Sequence, residues 1–208
     1  MDITALTVGS LQTNCYLLES DNDCVIIDPG DEADFISSVI LEKKIKPQAV
    51  LLTHGHYDHV LGCLELKLNF NIPIYLHSKD LPIYQSAPKS SEYWSGGHSF
   101  KLPKPDYALS DNQTLSFGSL TLQVIHTPGH TPGSVCFLTQ PPVIFTGDLL
   151  FASGIGRTDF SYSNPQLLRT SLRKLESVPP DTLIYPGHEE YAVCLDDALK
   201  SLHSSETP

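Results

Sequence analysis

Four side chains that commonly bind divalent metals lie within six consecutive residues of this chain. They are His54, His56, Asp58 and His59, and they follow an apolar run at residues 49–53 that we predict to be a buried strand. Crowding three imidazoles and a carboxylate into one loop costs desolvation and charge repulsion unless a cation compensates. The segment therefore predicts a metal site on a loop that leaves a buried strand.

Three further candidate ligands each follow an apolar run and a glycine. They are His130, Asp148 and His188, preceded by Gly129, Gly147 and Gly187. A glycine lets the backbone approach a neighbouring segment without a Cβ clash. Loops that leave rigid strands can aim their side chains at a common point. We therefore predict that all seven side chains meet at one site.

Seven ligands exceed the needs of one catalytic zinc ion, which takes three protein ligands and a water. They suit two ions if one carboxylate is shared. Two adjacent metals lower the pKa of a bound water from about 15.7 towards about 7 and polarise a carbonyl or phosphoryl oxygen. Histidine and aspartate ligands accommodate zinc, iron or manganese. We expect two divalent metal ions and hydrolytic chemistry. Zinc is the preferred candidate for the metal, and iron and manganese are the alternatives.

The order of predicted elements gives the fold class. Strands are followed by helices in the first half of the chain, and the second half repeats this order, which favours two sheets packed face to face with helices outside. The expected fold is α+β, a four-layered αββα sandwich in a single domain over residues 1–208. Asp31 is a candidate N-cap, and Asn164 followed by Pro165 marks a helix start. The predicted helices are residues 31–45, 59–70, 165–175 and 191–202, and the predicted strands are residues 4–8, 15–19, 24–27, 49–53, 72–77, 114–117, 119–125, 134–138, 143–146 and 183–185.

Residues 81–107 show no periodicity and hold four prolines, a Gly-Gly pair, the single tryptophan Trp94 and three tyrosines. We predict an irregular segment here. Long structureless segments in compact domains are functional or disordered. The aromatic content favours a flap that faces the substrate over a linker.

Charge and cysteine use narrow the class of protein. The chain has 24 acidic and 13 basic residues, a formal charge of −11, and no basic block, so we expect neither a nucleic acid nor an anionic membrane as partner. The start of the chain predicts no signal peptide, and no apolar run is long enough to span a membrane. Five cysteines without a C-x-x-C pair predict free thiols in a reducing compartment, hence a cytoplasmic protein. The expected partner is a small-molecule substrate. The oligomeric state stays open.

Some residues near the motifs are predicted to be structural. His126 lies four residues before His130, and His77, His98 and His203 have no partner pattern. Asp28, in an Asp-Pro-Gly tripeptide, is expected to form a turn and support a ligand without binding metal itself.

The string H-x-H-x-D-H, followed by a lone His, a Gly-Asp and a final Gly-His, resembles the metallo-β-lactamase superfamily over nearly the whole chain. Within it, TPGHTPGS at residues 127–134 and FTGDLLFASGIGRTDF at residues 145–160 resemble the short glyoxalase II-type hydrolases. The resemblance implies that His54, His56 and His130 hold one metal, that Asp58, His59 and His188 hold the other, and that Asp148 bridges them. Asp58 and Asp148 would then take part in catalysis together with a hydroxide bound to the metals.

Arg157 has two interpretations. It lies where glyoxalase II-like enzymes carry a basic residue that faces the carboxylate of the thiol substrate, and a guanidinium suits that role. Alternatively, Arg157 and Asp159 form an ion pair that fixes a loop beside the metals. The sequence leaves both open.

By this resemblance the expected reaction is hydrolysis of S-acylglutathione thioesters such as S-lactoylglutathione. Only 20 residues follow His188 (208 − 188), so we expect the C-terminal helical domain of full-length glyoxalase II to be absent, and recognition of glutathione stays open. The sequence also departs from related short enzymes after His188 and after Asp159. A persulfide dioxygenase with one iron is the main alternative, because such relatives share the Gly-Arg-Thr-Asp-Phe loop. A lactonase, a phosphodiesterase and a non-catalytic metal-binding protein are further alternatives.

Overall fold

The computed structural model describes residues 1–96 and 100–205, and this part of the chain contains two six-stranded sheets and five α-helices. The first sheet has the order β1 (Asp2–Val8), β2 (Thr13–Ser20), β3 (Asp23–Ile27), β4 (Lys46–Leu51), β5 (Ile74–His77), β6 (Tyr107–Leu109). The second has the order β12 (Val193–Cys194), β11 (Leu183–Pro186), β10 (Val143–Gly147), β9 (Val135–Thr139), β8 (Leu120–His126), β7 (Thr114–Phe117). The helices are α1 (Ala33–Lys43), α2 (Cys63–Phe70), α3 (Leu81–Ser95), α4 (Pro165–Leu175) and α5 (Leu195–Ser205).

The sheets are mixed, and their parallel parts carry the loops that matter for function. Strands β1 to β3 are antiparallel, whereas β3 to β6 are parallel. In the second sheet β10 and β11 are parallel, and the remaining pairs are antiparallel. Strands β4, β10 and β11 each end within three residues of a candidate ligand. Strand geometry therefore places these loops, as the sequence predicts.

Three apolar layers hold the fold together. The sheets bury a shared layer that includes Tyr16, Phe137 and Phe145, each at most 1% exposed. The outer face of the first sheet packs against α1, α2 and α3, and that of the second packs against α4 and α5. Removing a large side chain from such a layer costs roughly 3–5 kcal/mol. The predicted αββα sandwich is confirmed.

The start of α4 fixes one of the ligand loops. Asn164 is the N-cap and accepts a hydrogen bond from the backbone N–H of Leu167, with Pro165 in the first turn, as predicted. A Cβ on Gly129 would lie 2.3 Å from the Cα of Leu168, so only glycine permits this approach. The loop that carries His130 is therefore pressed against the first turns of α4.

Three predicted helix boundaries are wrong. Helix α1 begins at Ala33, and its N-cap is Glu32 in a left-handed conformation, while Asp31 accepts the N–H of Glu32 at 2.7 Å. The predicted helix at residues 59–70 is a 3₁₀ turn at Tyr57–His59 followed by α2. The predicted helix at residues 191–202 is preceded by β12, which pairs with β11, and begins at Leu195. In each case a local turn or a strand pairing replaces the first helical turn.

The prediction of an irregular segment at residues 81–107 is wrong for its first half. Helix α3 occupies Leu81–Ser95, with a proline in its first turn, Pro88 in its interior and Gly96 as C-cap. Tyr84 and Ala87 are buried against the first sheet, and the hydroxyl of Tyr84 donates to the carbonyl of Pro103 at 2.8 Å. Tertiary packing thus stabilises a helix despite the cost of Pro88.

Two further predictions can be compared with the structure. All five cysteines are free and four are buried, which confirms the free thiols. Among the described helices, none is both long enough and apolar enough to span a membrane.

Candidate metal centre

The seven candidate ligands lie together where the loops of the two sheets meet. The candidate ligands themselves form two compact groups within the described chain: His54, His56, His130 and Asp148, and then Asp58, His59 and His188. Within each group one potential ligand atom per residue lies within 4.8 Å of the others. Each group contains residues from both halves of the sequence, so the folded sandwich is needed to assemble either one.

The first group surrounds a common point with three imidazole nitrogens and one carboxylate oxygen. Nδ1 of His56 lies 3.0 Å from Nε2 of His54 and 2.9 Å from Nε2 of His130. Oδ2 of Asp148 is 3.4 Å from Nε2 of His130 and 4.0 Å from Nε2 of His54. These atoms could hold one metal ion.

The second group has two imidazoles and a carboxylate. Nε2 of His188 lies 3.3 Å from both Nε2 of His59 and Oδ2 of Asp58. Oδ1 of Asp148 lies 3.5 Å from Nε2 of His59, and its Oδ2 lies 3.4 Å from Nε2 of His130 and 3.7 Å from Nε2 of His188. The carboxylate of Asp148 therefore lies between the groups, within 4 Å of imidazoles of both.

Each of the five imidazoles has an inner ring nitrogen that faces its group and an outer one that points away from it. Every outer nitrogen has a hydrogen-bond partner in the protein. Four outer partners accept a hydrogen bond: Thr53 Oγ1 for His54 (3.0 Å), Asp28 Oδ2 for His59 (3.0 Å), the Arg157 carbonyl for His130 (2.8 Å) and the Leu11 carbonyl for His188 (3.1 Å). The fifth partner is the hydroxyl of Tyr162, 2.7 Å from Nε2 of His56. An outer N–H that donates leaves a lone pair on the inner nitrogen. Inner lone pairs about 3 Å apart repel each other unless a cation lies between them.

A second observation points the same way. Oδ1 of Asp148 is buried and has no hydrogen-bond partner in the described chain. A buried carboxylate oxygen without a partner is costly. Converging lone pairs and an unsatisfied carboxylate together fit a pair of divalent cations.

The electrostatics of the two groups differ. Burial and the neighbouring imidazoles lower the pKa of His54 well below its usual range, and the pKa of His56 to about 3. Burial alone would lower the pKa of His59, but Asp58 and Asp148 raise it to about 10. The imidazoles of His54 and His56 are thus kept neutral and can bind a metal, whereas the carboxylates around His59 favour a positive charge.

Asp28 supports the centre from outside. Its carboxylate is buried and accepts hydrogen bonds from the N–H of Thr53 (2.8 Å) and the hydroxyl of Thr53 (2.5 Å), as well as from Nδ1 of His59. It therefore orients His54 through Thr53, and His59 directly. These contacts suit the predicted supporting role, but Asp28 also forms a compact group with His54 and His59, whose potential ligand atoms lie within 4.8 Å of one another, so its role stays a prediction.

Asp80 is a supporting residue that the sequence did not reveal. It is 0% exposed and accepts hydrogen bonds from Gly55 N (2.9 Å), Thr131 Oγ1 (2.7 Å) and Gly133 N (2.5 Å). These bonds tie the loop of His54 and His56 to the loop of His130, at the start of α3. The only available signal was its place just after β5, the same strand-end position that marks the ligand loops.

A cavity of about 620 Å³ opens beside the two groups. Leu11, Phe151, Phe160 and Trp94 of α3 give it apolar walls. One end of a small organic substrate can therefore be bound by apolar contacts while its other end reaches the ligand groups.

Arg157 is the one Lys or Arg side chain among the described residues that line this cavity. Its Nε and Nη2 donate to Asp159 at 3.0 and 2.7 Å, and its guanidinium lies 4.9 Å from the centre of the Phe160 ring. Both members of the ion pair are about two-thirds exposed. The structure thus shows the pair and also places Arg157 on the cavity wall, and an ion pair this exposed contributes little to stability.

The other histidines lie outside the two groups where they are described. His77 stacks on His126 at 4.3 Å, and Nε2 of His126 is 3.0 Å from the Pro132 carbonyl. Burial, and then the neighbouring His126, lower the pKa of His77 to about 4. His98 lies outside the described residues, and the side chain of His203 is not described.

Comparison with known proteins places this geometry in context. A model of the metallo-beta-lactamase superfamily matches residues 8–188. The chain is 37% identical over 185 residues to the probable metallo-hydrolase YqgX of Bacillus subtilis (strain 168), covering 88% of each protein. It is 36% identical over 201 residues to hydroxyacylglutathione hydrolase GloC of Haemophilus influenzae, covering 92% of each. The solved structure of TTHA1623 in a di-iron-bound form has a TM-score of 0.88 at 38% identity, covering 95% of this chain and 98% of that one.

Proposed function

Because the chain belongs to the metallo-β-lactamase superfamily, we propose that its two ligand groups hold two divalent metal ions and that it hydrolyses small thioesters such as S-lactoylglutathione. The position of Asp148 between the groups carries this proposal, since a bridging carboxylate is what a two-metal site needs. The relative named hydroxyacylglutathione hydrolase supports the substrate class.

Each group has its own part in the proposed mechanism. His54, His56 and His130 would hold one ion through their imidazoles, Asp58, His59 and His188 the other, and Asp148 both. When bound, the two ions would supply an activated water and polarise the thioester carbonyl. The apolar walls of the cavity would keep the acyl group in place and exclude bulk water.

The leaving group places little demand on the protein. A thiol has a pKa near 8.5, so a thiolate departs without a strong general acid. The carboxylates nearest the cavity, Asp58 and Asp148, both face imidazoles of the ligand groups. They are therefore available as ligands and as hydrogen-bond acceptors for the attacking water.

Arg157 is proposed to bind a carboxylate of the thiol part of the substrate. Its place on the cavity wall supports this role, and its exposed pair with Asp159 is weak enough for a substrate carboxylate to compete. Arg157→Ala should raise KM for acidic thioesters more than it lowers kcat. Equal KM and kcat in the variant and the parent would leave Arg157 with its loop-fixing role alone.

Zinc is proposed as the metal, with iron as the alternative. The ligand types suit both ions, and the relative TTHA1623 is described in a di-iron-bound form. A persulfide dioxygenase with one iron stays a second candidate function, because the chain carries the Gly156-Arg157-Thr158-Asp159-Phe160 loop. The free cysteines support the proposed cytoplasmic location.

The decisive assay follows the thioester absorbance of S-lactoylglutathione while the metal content of the purified protein is measured. Rapid turnover that a chelator abolishes, with two metals per chain, supports the proposal. His54→Ala should lose turnover and hold less metal, whereas Tyr107→Phe, on the surface at β6, should match the parent in both. Absence of turnover in a protein that holds one iron, with oxygen consumed on glutathione persulfide, would replace hydrolysis by sulfur oxygenation.

A further inference from the structure

Among the five inner imidazoles, His56 is held differently from the other four. It faces the group through Nδ1, whereas His54, His59, His130 and His188 face inward through Nε2. The outer nitrogen of His56 is consequently at the far tip of the ring, directed toward the cavity. Its partner there is the hydroxyl of Tyr162 at 2.7 Å.

Tyr162 is the one outer partner that is a side chain on the cavity wall. The partners of His130 and His188 are backbone carbonyls, and Thr53 and Asp28 are buried behind the centre. Tyr162 lines the cavity and is 38% exposed. The orientation of His56 therefore depends on a residue that a substrate can contact.

The position of the hydroxyl is well defined. The Tyr162 ring stacks on Phe160, with ring centres 5.5 Å apart and planes 12° apart, and Phe160 itself packs 5.2 Å from His56. The next residues are bonded to the loop of His130, because Ser163 Oγ donates to the His130 carbonyl at 2.6 Å. Stacking on one side and this bond on the other leave the phenol little freedom to move.

We propose that Tyr162 is a positioning residue for the first metal site: by accepting the N–H of Nε2 it fixes the His56 tautomer that offers Nδ1 to the ion. This inference rests on the ligand groups of the proposed function. Outer partners of metal-binding histidines fix ring orientation, and their loss commonly costs 10–100-fold in metal affinity. Among the described residues, Tyr162 is the one hydrogen-bond partner of the outer nitrogen of His56, so the effect should be confined to the first group.

The test separates the two sites with single-site variants. His188→Ala removes a ligand from the second group and leaves the first to bind, whereas His54→Ala does the reverse. Tyr162→Phe is added to each variant, and Zn²⁺ affinity is measured by competition with a chromophoric chelator. In the His188→Ala background we expect a Kd about 10-fold higher or more, and in the His54→Ala background no change beyond 2-fold. Tyr107→Phe, a surface phenol remote from the centre, is the matched control in both.

The outcomes distinguish this inference from the proposed function. If the unmodified chain binds two ions and Tyr162→Phe leaves the first-site Kd within 2-fold, the positioning role is wrong while the ligand assignment stands. Equal weakening at both sites would also overturn it, because that would be a general structural effect. A chain that binds fewer than two ions would instead contradict the proposed function. As a further readout, excess Zn²⁺ should restore kcat in Tyr162→Phe with all seven ligands intact, and failure of this rescue counts against a role through metal binding.

Discussion

Replacing Asp80 by asparagine tests whether the ligand loops are held by one buried carboxylate. The three groups that donate to Asp80 are two backbone N–H groups and a hydroxyl. An asparagine turns its own N–H₂ toward at least one of these donors. One buried donor then lacks an acceptor, which costs about 1–3 kcal/mol. The remaining hydrogen bonds are also weaker, because their acceptor is an uncharged amide oxygen in place of a carboxylate. We expect the free energy of unfolding to fall by about 2–4 kcal/mol.

Asp80→Asn should also weaken Zn²⁺ binding at the first ligand group more than at the second. Gly55 separates His54 from His56, and Thr131 follows His130, so the bonds of Asp80 lie next to ligands of the first group. Urea unfolding of the metal-free protein measures the stability term, and Zn²⁺ titration in the His188→Ala background measures the affinity. Asp106→Asn is the control, because Asp106 accepts the N–H of Ile74 at 2.8 Å and the ammonium of Lys67 at 2.5 Å, near the surface and away from the ligands. A loss below about 0.5 kcal/mol together with unchanged affinity would refute the reasoning.

Other predictions address the neighbouring groups. Asp28→Asn weakens the hydrogen bond to His59, so Zn²⁺ affinity in the His54→Ala background should fall about 10-fold; an unchanged Kd would show that Asp28 does not orient this ligand. Asp159→Asn frees Arg157 and should lower KM for S-lactoylglutathione a few-fold without changing KM for an uncharged thioester; equal shifts for both substrates would exclude a charge effect. The lowered pKa of His77 means that the folded state favours the neutral ring, so stability should fall as pH drops from 6.5 to about 4. Urea unfolding at several pH values should show a shallower acid loss in His77→Gln, and identical slopes would contradict this. Chelation should lower Tm by an amount that grows with the free metal concentration it started from, and an unchanged Tm would mean that the folded chain does not bind metal.

The ligand loops could be predicted because each is short and follows an apolar strand. His54 and His56 follow β4, and His188 follows β11, so spacing along the sequence already reflected position in space. The supporting residues had no such spacing. Tyr162 meets a ligand 106 residues away, and Asp80 meets donors 25 to 53 residues away. Single polar residues with distant partners give no periodic signal.

The segment at residues 81–107 shows the limit of local rules. The lack of periodicity and the four prolines predict an irregular segment, yet α3 forms here with Pro88 in its interior. The buried faces of Tyr84 and Ala87 supply apolar burial that local propensity does not include. The helix also contributes Ser90 and Trp94 to the cavity. That this segment faces the substrate therefore stays a prediction, but its first half is a helix and not an irregular flap.

Both ligand groups draw residues from each half of the sequence, and the chain has no disulfide bond to join those halves. Bound metals would therefore act as removable cross-links that close long loops, such as the one from His56 to His130. Disulfide bonds have the same effect in secreted proteins. A cell that runs short of the metal would lose these links as well as the activity. The protein would then unfold more often and be exposed to proteases, so its abundance should follow the supply of the metal.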